Sequence, residues 1–157
     1  MKAIILGLGN PILGDDAIGC RIAELVEKQL IEEKIEDFEV EQFYRGGIAL
    51  MERLIGYDRA LIIDSIMGWG EEIGTIYQMS LDDLPTMTAD SPHDTSLKAA
   101  LELGRTLNAK LPEQVDILAM EIKYSLEFSE ELSKPVEASI PEMVGRAMDW
   151  VKDLQAE

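Results

Sequence analysis

The chain has 157 residues, 46% of them hydrophobic, and a formal net charge of −17. Its 31 acidic residues against 14 basic ones repel phosphate, which argues against nucleic acid or an anionic membrane surface as a partner. One cysteine leaves no internal disulfide and fits a reducing, cytoplasmic setting, and the apolar content is enough for one domain over residues 1–157.

Ala3 to Leu6 is a short apolar run ended by Gly7 and Gly9, the pattern of a buried first strand. It is far too short for a signal peptide or a membrane span. Asn10-Pro11 breaks the strand, Gly14 turns the chain, and Asp15-Asp16 is expected to open a helix with either acid as its N-cap. Gly7 and Gly9 begin a dinucleotide fingerprint, but Ile12 stands where its third glycine belongs and is expected to fill the space where helix and strand would meet. Two acids also occupy the spot where a pyrophosphate would dock, so this turn suits a cation better than an anion.

Asp16 to Lys34 has helical spacing, with Ile18, Ile22, Leu25, Val26 and Leu30 inward. Cys20 shares a helix face with Asp16 and reads as a small buried group rather than a nucleophile or ligand. Phe38 to Tyr44 alternates like a strand near a sheet edge. Arg45-Gly46-Gly47 then turns into a short helix with Ile48, Met51, Leu54 and Ile55 inward and Gly56 as its stop. Arg59 to Ile66 is apolar on both faces and therefore a central strand, with Asp64 at its end, where a carboxylate is costly without a partner. The βαβαβ winding sets the first and third strands side by side, so Asp16 and Asp64 both fall at the crevice beyond their carboxyl ends.

Gly74 to Ser80 reads as a fourth strand, followed by an irregular stretch from Leu81 to Ser96. That stretch contains Ser91-Pro92-His93-Asp94, with the only histidine of the chain. Asp94 is a candidate N-cap for a helix from Ser96 to Leu107, whose inward face is Leu97, Ala100, Leu101, Gly104 and Leu107. Asp116 to Ile122 is a fifth strand. Ser139-Ile-Pro-Glu142 has the form of a capping box for a last helix. Strands alternating with helices make this an α/β protein.

The stretch G-L-G-N-P-I-L-G-D-D-A-I-G, Gly7 to Gly19, resembles the opening of the hydrogenase maturation endopeptidases, which trim the C-terminus of NiFe-hydrogenase large subunits. Gly7, Gly9, Asn10, Asp15, Asp16 and Gly19 carry the match, and Ser91-Pro92-His93 matches the family's histidine segment. The resemblance implies a three-layer α/β/α sandwich of the phosphorylase/hydrolase-like kind around a five-stranded, mostly parallel twisted sheet. It implies Asp16, Asp64 and His93 as the catalytic and metal-gripping residues, acting on nickel already mounted in the substrate. Other divalent ions could fill the same site. The partner it implies is a nickel-loaded hydrogenase large-subunit precursor, met by a cytoplasmic monomer. The family's usual Asp-Gly-Gly-Thr turn is changed here, with Arg45 in place of the acid and Ile48 in place of the threonine.

The chemistry available agrees with that set. No G-x-S-x-G elbow, H-E-x-x-H helix or C-x-x-C pair occurs. Two carboxylates and one imidazole can hold a divalent transition ion while leaving positions open. Such an ion either acts as a Lewis acid or serves only for docking, with Asp16 or Asp64 as general base. Two other readings compete: a non-catalytic assembly factor for hydrogenase, and a peptidyl-tRNA hydrolase, whose G-L-G-N-P turn is similar. The latter needs a histidine soon after that turn and a basic face, and this chain has neither.

Overall fold

The computed structural model describes residues 1–83, 92–123 and 127–157; for Asp83 and residues 92–96 it describes the backbone alone. Strand β1 (Ala3–Leu8) is buried at all six positions and bears no charge, as a strand covered on both faces requires. It pairs in parallel with β2 (Phe38–Phe43) on one side and β3 (Arg59–Ile66) on the other. Strand β3 pairs in parallel with β5 (Gln114–Glu121), and β4 (Ile76–Ser80) runs antiparallel at the far edge. The order is β2-β1-β3-β5-β4, with β3 at the centre and β2 at an edge, as the sequence predicts.

Each strand sends alternate side chains to opposite faces, and this divides the core in two. Ile5, Ile63 and Leu118 face helices α1 (Ile18–Glu32) and α4 (Lys134–Gln155). Ile4, Ile62 and Ile117 face α2 (Gly47–Leu54) and α3 (Pro92–Thr106). The result is the expected three-layer α/β/α sandwich around a five-stranded, mostly parallel sheet.

Several element ends differ from the sequence reading, each for a local reason. Asp15 and Asp16 cap nothing: they sit inside a 3-10 turn, Gly14–Ala17, and α1 starts after it. Helix α3 begins at Pro92 rather than Ser96, so Asp94 is inside the helix and His93 rides on its first turn, not on a loop. Strand β4 begins two residues late, after Gly74 turns the chain at φ 95°. The last helix starts at Lys134, not at Ser139. Pro135 takes the first-turn position suited to proline, which leaves Pro141 in the interior on the exposed side, and Ser139 Oγ donates back to the Pro135 carbonyl at 3.1 Å instead of capping. Ile48, Ile55 and Leu107 are exposed, because the first stands at the start of its helix and the other two lie just past the ends of theirs.

Helix α1 lies against the sheet with almost no gap. A Cβ on Gly7 would come within 2.2 Å of the Gly19 carbonyl oxygen. One on Gly19 would lie 2.2 Å from the Leu8 carbonyl oxygen and 2.4 Å from that of Ile63. The close helix–strand approach thus comes from Gly19, and Ile12 does not stand in its way: it is exposed on the outer turn. Gly19→Ala should destabilise the protein by about 3 kcal/mol or more, since even one methylene too many in a tight core costs roughly 1–3 kcal/mol. Gly145→Ala is the control, because open space surrounds that helical position. It should be neutral or add up to about 1 kcal/mol through helix propensity. Urea denaturation of the two variants tests this, and equal midpoints would show that the contact at Gly19 is slack.

Candidate active site

Between β1 and α1 the chain makes a tight outward turn. Asn10 Oδ1 accepts from the Ile12 backbone N–H at 3.2 Å, and the Asn10 carbonyl accepts from Leu13 at 3.2 Å. Leu13 and Gly14 then bridge to Ser129, whose carbonyl accepts from Gly14 N–H at 2.7 Å. Held in this way, the two adjacent acids point in different directions. Asp15 accepts from the Ser133 backbone N–H and from Ser133 Oγ, both at 2.7 Å, and so fastens the turn to the start of α4. Asp16 turns toward the sheet: its Oδ2 accepts from the Asn10 N–H and its Oδ1 from Ser65 Oγ, both at 3.0 Å.

Asp64 lies near the carboxyl end of β3 and is only 4% exposed. Its Oδ1 accepts from the Ser65 backbone N–H at 2.7 Å. Ser65 therefore joins the two aspartates, holding one through its amide and the other through its hydroxyl. Sequence reasoning missed it; the only available signal is that the residue after Asp64 points to the opposite face, toward α1 and the turn before it.

Asp16 and Asp64 line one cleft of about 180 Å³, with Leu8, Gly9 and Asn10 from the end of β1 and Tyr44 and Arg45 from the turn after β2. The structure thus brings together two of the three expected site residues. The third, His93, is placed by its backbone in the first turn of α3, and its side chain lies outside the described residues. Helix α3 leads into β5, whose first residue Gln114 pairs with Arg59 at the start of β3, so its own first turn points back toward the carboxyl edge of the sheet. Among the described residues no three His, Cys, Asp or Glu side chains gather closely enough to hold a metal ion. Two carboxylates alone are too few ligands for a tight transition-metal site.

A larger hollow of about 550 Å³ lies between α1 and the start of α4, lined by Glu24, Glu130, Glu131 and Glu137 among others, but it contains neither aspartate. Cys20 borders it and is 5% exposed. Its Sγ is 3.6 Å from the carbonyl oxygens of Gly7 and Gly9, to which it donates. Burial, then the charges of Asp16 and Asp64, push the thiol up to about 11, so it stays protonated and a poor nucleophile at neutral pH. A second buried acid, Glu121, ends β5 paired with Ile66. Burial, together with the charges of Glu121 and Glu71, raises the Tyr77 hydroxyl above the ordinary phenol range.

The sequence profile of the family described as hydrogenase maturation protease matches residues 20–150. The chain belongs to that family. It is 29% identical over 143 residues to the hydrogenase 2 maturation protease of Escherichia coli, covering 89% of this chain and 84% of that protein. The structure of the hydrogenase maturating endopeptidase HybD from Escherichia coli superposes with a TM-score of 0.81 at 25% identity, over 98% of this chain and 93% of that one. The HybD of Thermococcus kodakarensis shares the fold, with a TM-score of 0.71 at 22% identity over 96% and 99% of the two chains. This maturation protease is accordingly an endopeptidase, a hydrolase, and membership of the family favours neither the non-catalytic assembly factor nor the peptidyl-tRNA hydrolase.

Two outcomes follow from the geometry. Cys20→Ala should keep the cleavage activity and cost about 1 kcal/mol for a small buried group. The wild-type thiol has its folded-state value raised from 9.0 to about 11, so the unfolded chain loses that proton first. Stability should therefore fall as pH rises from 9 to about 11, and the variant should lack this component; identical pH profiles of unfolding would contradict it. Ser65→Ala should leave folding intact yet slow cleavage about tenfold or more, since a charge-assisted hydrogen bond is worth roughly 1.5–3 kcal/mol. Full activity in that variant would remove Ser65 from the site.

Proposed function

We propose that the protein removes the C-terminal extension of a NiFe-hydrogenase large-subunit precursor after nickel has been inserted, with Asp16, Asp64 and His93 gripping that nickel. The observation that carries this reading is the pair of aspartates, one from the 3-10 turn before α1 and one from β3, tied through Ser65 and lining one cleft in a member of a maturation protease family. Two buried or half-buried carboxylates make too thin a ligand set to capture a free ion, yet they can complete the coordination of one already held by another protein's thiolates. His93, the only histidine, lies in the first turn of the helix, the end that points toward the carboxyl edge of the sheet, and supplies the nitrogen ligand.

Cleavage adds water across one peptide bond. The nickel travels as part of the substrate and brings the scissile segment to the cleft. A carboxylate within reach of the attacking water takes its proton and returns it to the leaving amine as the C–N bond breaks. No helix among the described residues is long and apolar enough to cross a membrane. The single cysteine is buried and protonated, which suits action in a reducing compartment such as the cytoplasm.

The test compares nickel-loaded and nickel-free precursor side by side, with mass loss at the precursor's C-terminus as the readout. Only the loaded form should be cut. Asp16→Ala, Asp64→Ala and His93→Ala should each reduce cleavage by at least about a thousandfold with the circular dichroism spectrum unchanged, as expected when an essential group is removed. Equal rates on the two precursors would leave the recognition of nickel with nothing to explain.

A further inference from the structure

Arg45 stands on the turn after β2 and lines the same cleft as Asp16 and Asp64. Its guanidinium lies 5.6 Å from the centre of the Tyr44 ring, and that ring is 73% exposed. Arg21, Arg53, Arg59 and Arg146 each have a glutamate within ion-pairing distance. Among the described residues Arg45 and Arg105 have no such partner, and of these two Arg45 alone lines the cleft with Asp16 and Asp64, in a chain that carries 31 acids. An unpaired arginine beside two carboxylates in so acidic a protein calls for a physical account.

The cleft by itself repels acidic peptide. Two aspartates and a net charge of −17 set up a negative potential that disfavours a carboxylate approaching the site. Arg45 reverses that potential at one point on the cleft wall. Stacked on an aromatic plane, a guanidinium keeps its fork of N–H donors free for a bidentate carboxylate, the geometry in which arginine outperforms lysine. Gly47, at φ 57°, carries the chain from this turn into α2.

We propose that Arg45, backed by Tyr44, is a specificity-determining residue that binds a carboxylate of the substrate peptide beside the scissile bond. The inference rests on the reading that the precursor's C-terminal segment enters this cleft. It makes Arg45 a contact for the peptide rather than a participant in bond breaking. The carboxylate comes either from an acidic side chain near the cut or from the C-terminus of the extension.

The experiment uses the full-length enzyme and the nickel-loaded precursor in three forms: unaltered, with the acidic residues near the cut changed to amides, and with its C-terminal carboxylate amidated. Arg45→Ala should raise KM about tenfold on the unaltered precursor, the size expected of one charge-assisted hydrogen-bonded pair, while kcat stays within about twofold. For wild-type enzyme, one of the two neutralised precursors should show the same rise in KM, and the Arg45→Ala variant should be indifferent to that change. Which precursor it is identifies the source of the carboxylate. Arg45→Glu should prefer a precursor given a lysine at that position over the unaltered one, a reversal that a fold defect does not produce. A wild-type enzyme that cuts none of these precursors overturns the cleavage reading and this inference with it. Normal cleavage by wild type, with Arg45→Ala showing an unchanged KM or equal sensitivity to both neutralised precursors, overturns this inference alone.

Discussion

The contact on which the rest depends is the one between the backbones of Gly7 and Gly19. With no side chain on either residue, the start of α1 settles directly onto β1, its Gly19 within reach of the carbonyls of Leu8 and Ile63. Any Cβ there would lift the helix and carry Asp16 away from Ser65. Because β1 and β3 are neighbours in parallel register, with Gly7 opposite Ile63, the residue that follows on β3 is Asp64. A steric requirement at two glycines thereby sets where two carboxylates stand relative to each other.

Within that frame the adjacent acids of the turn divide their work. Asp15 holds the turn to α4 through both of its oxygens, and Asp16 faces the cleft with both of its oxygens already bonded. A carboxylate restrained in this way presents its remaining lone pairs in a fixed direction, the preorganisation that a gripping or catalytic group needs. Ser65 extends the restraint from Asp16 to Asp64, so that the two do not swing independently. Cys20 sits beneath them as packing: its proton is held by burial and by their charges, which keeps a competing soft ligand out of the site.

Much of this was legible in the sequence, for reasons that can be named. Strand β3 is readable because the apolar run Ala60 to Ile63 stands out sharply beside the charged Asp58 and Arg59. The neighbouring of β1 and β3 follows from winding rules, and it puts Asp16 and Asp64 at one crevice. What was not legible depended on contacts distant in sequence. Two acids in a row look alike until Ser133 claims one of them and Ser65 the other. A serine after an aspartate gives no periodic signal. The start of α4 was missed because Pro141 and Ser139 imitate a helix beginning, while the true one uses Pro135 six residues earlier. Ile55 and Leu107 continued an amphipathic pattern beyond the point where the helices stop.

The bond between Asp15 and Ser133 spans 118 residues of sequence. A chain emerges from the ribosome from its N-terminus, so the Asn10–Gly14 turn is made early but cannot be fastened until the start of α4 has followed. Neither can its link to Ser129 form before then. The turn that carries Asp16 is therefore among the last parts of the molecule to gain its native restraint, although it is among the first to be synthesised. A nascent chain that has not yet presented Ser129 and Ser133 therefore lacks every bond by which those two serines hold the turn before α1.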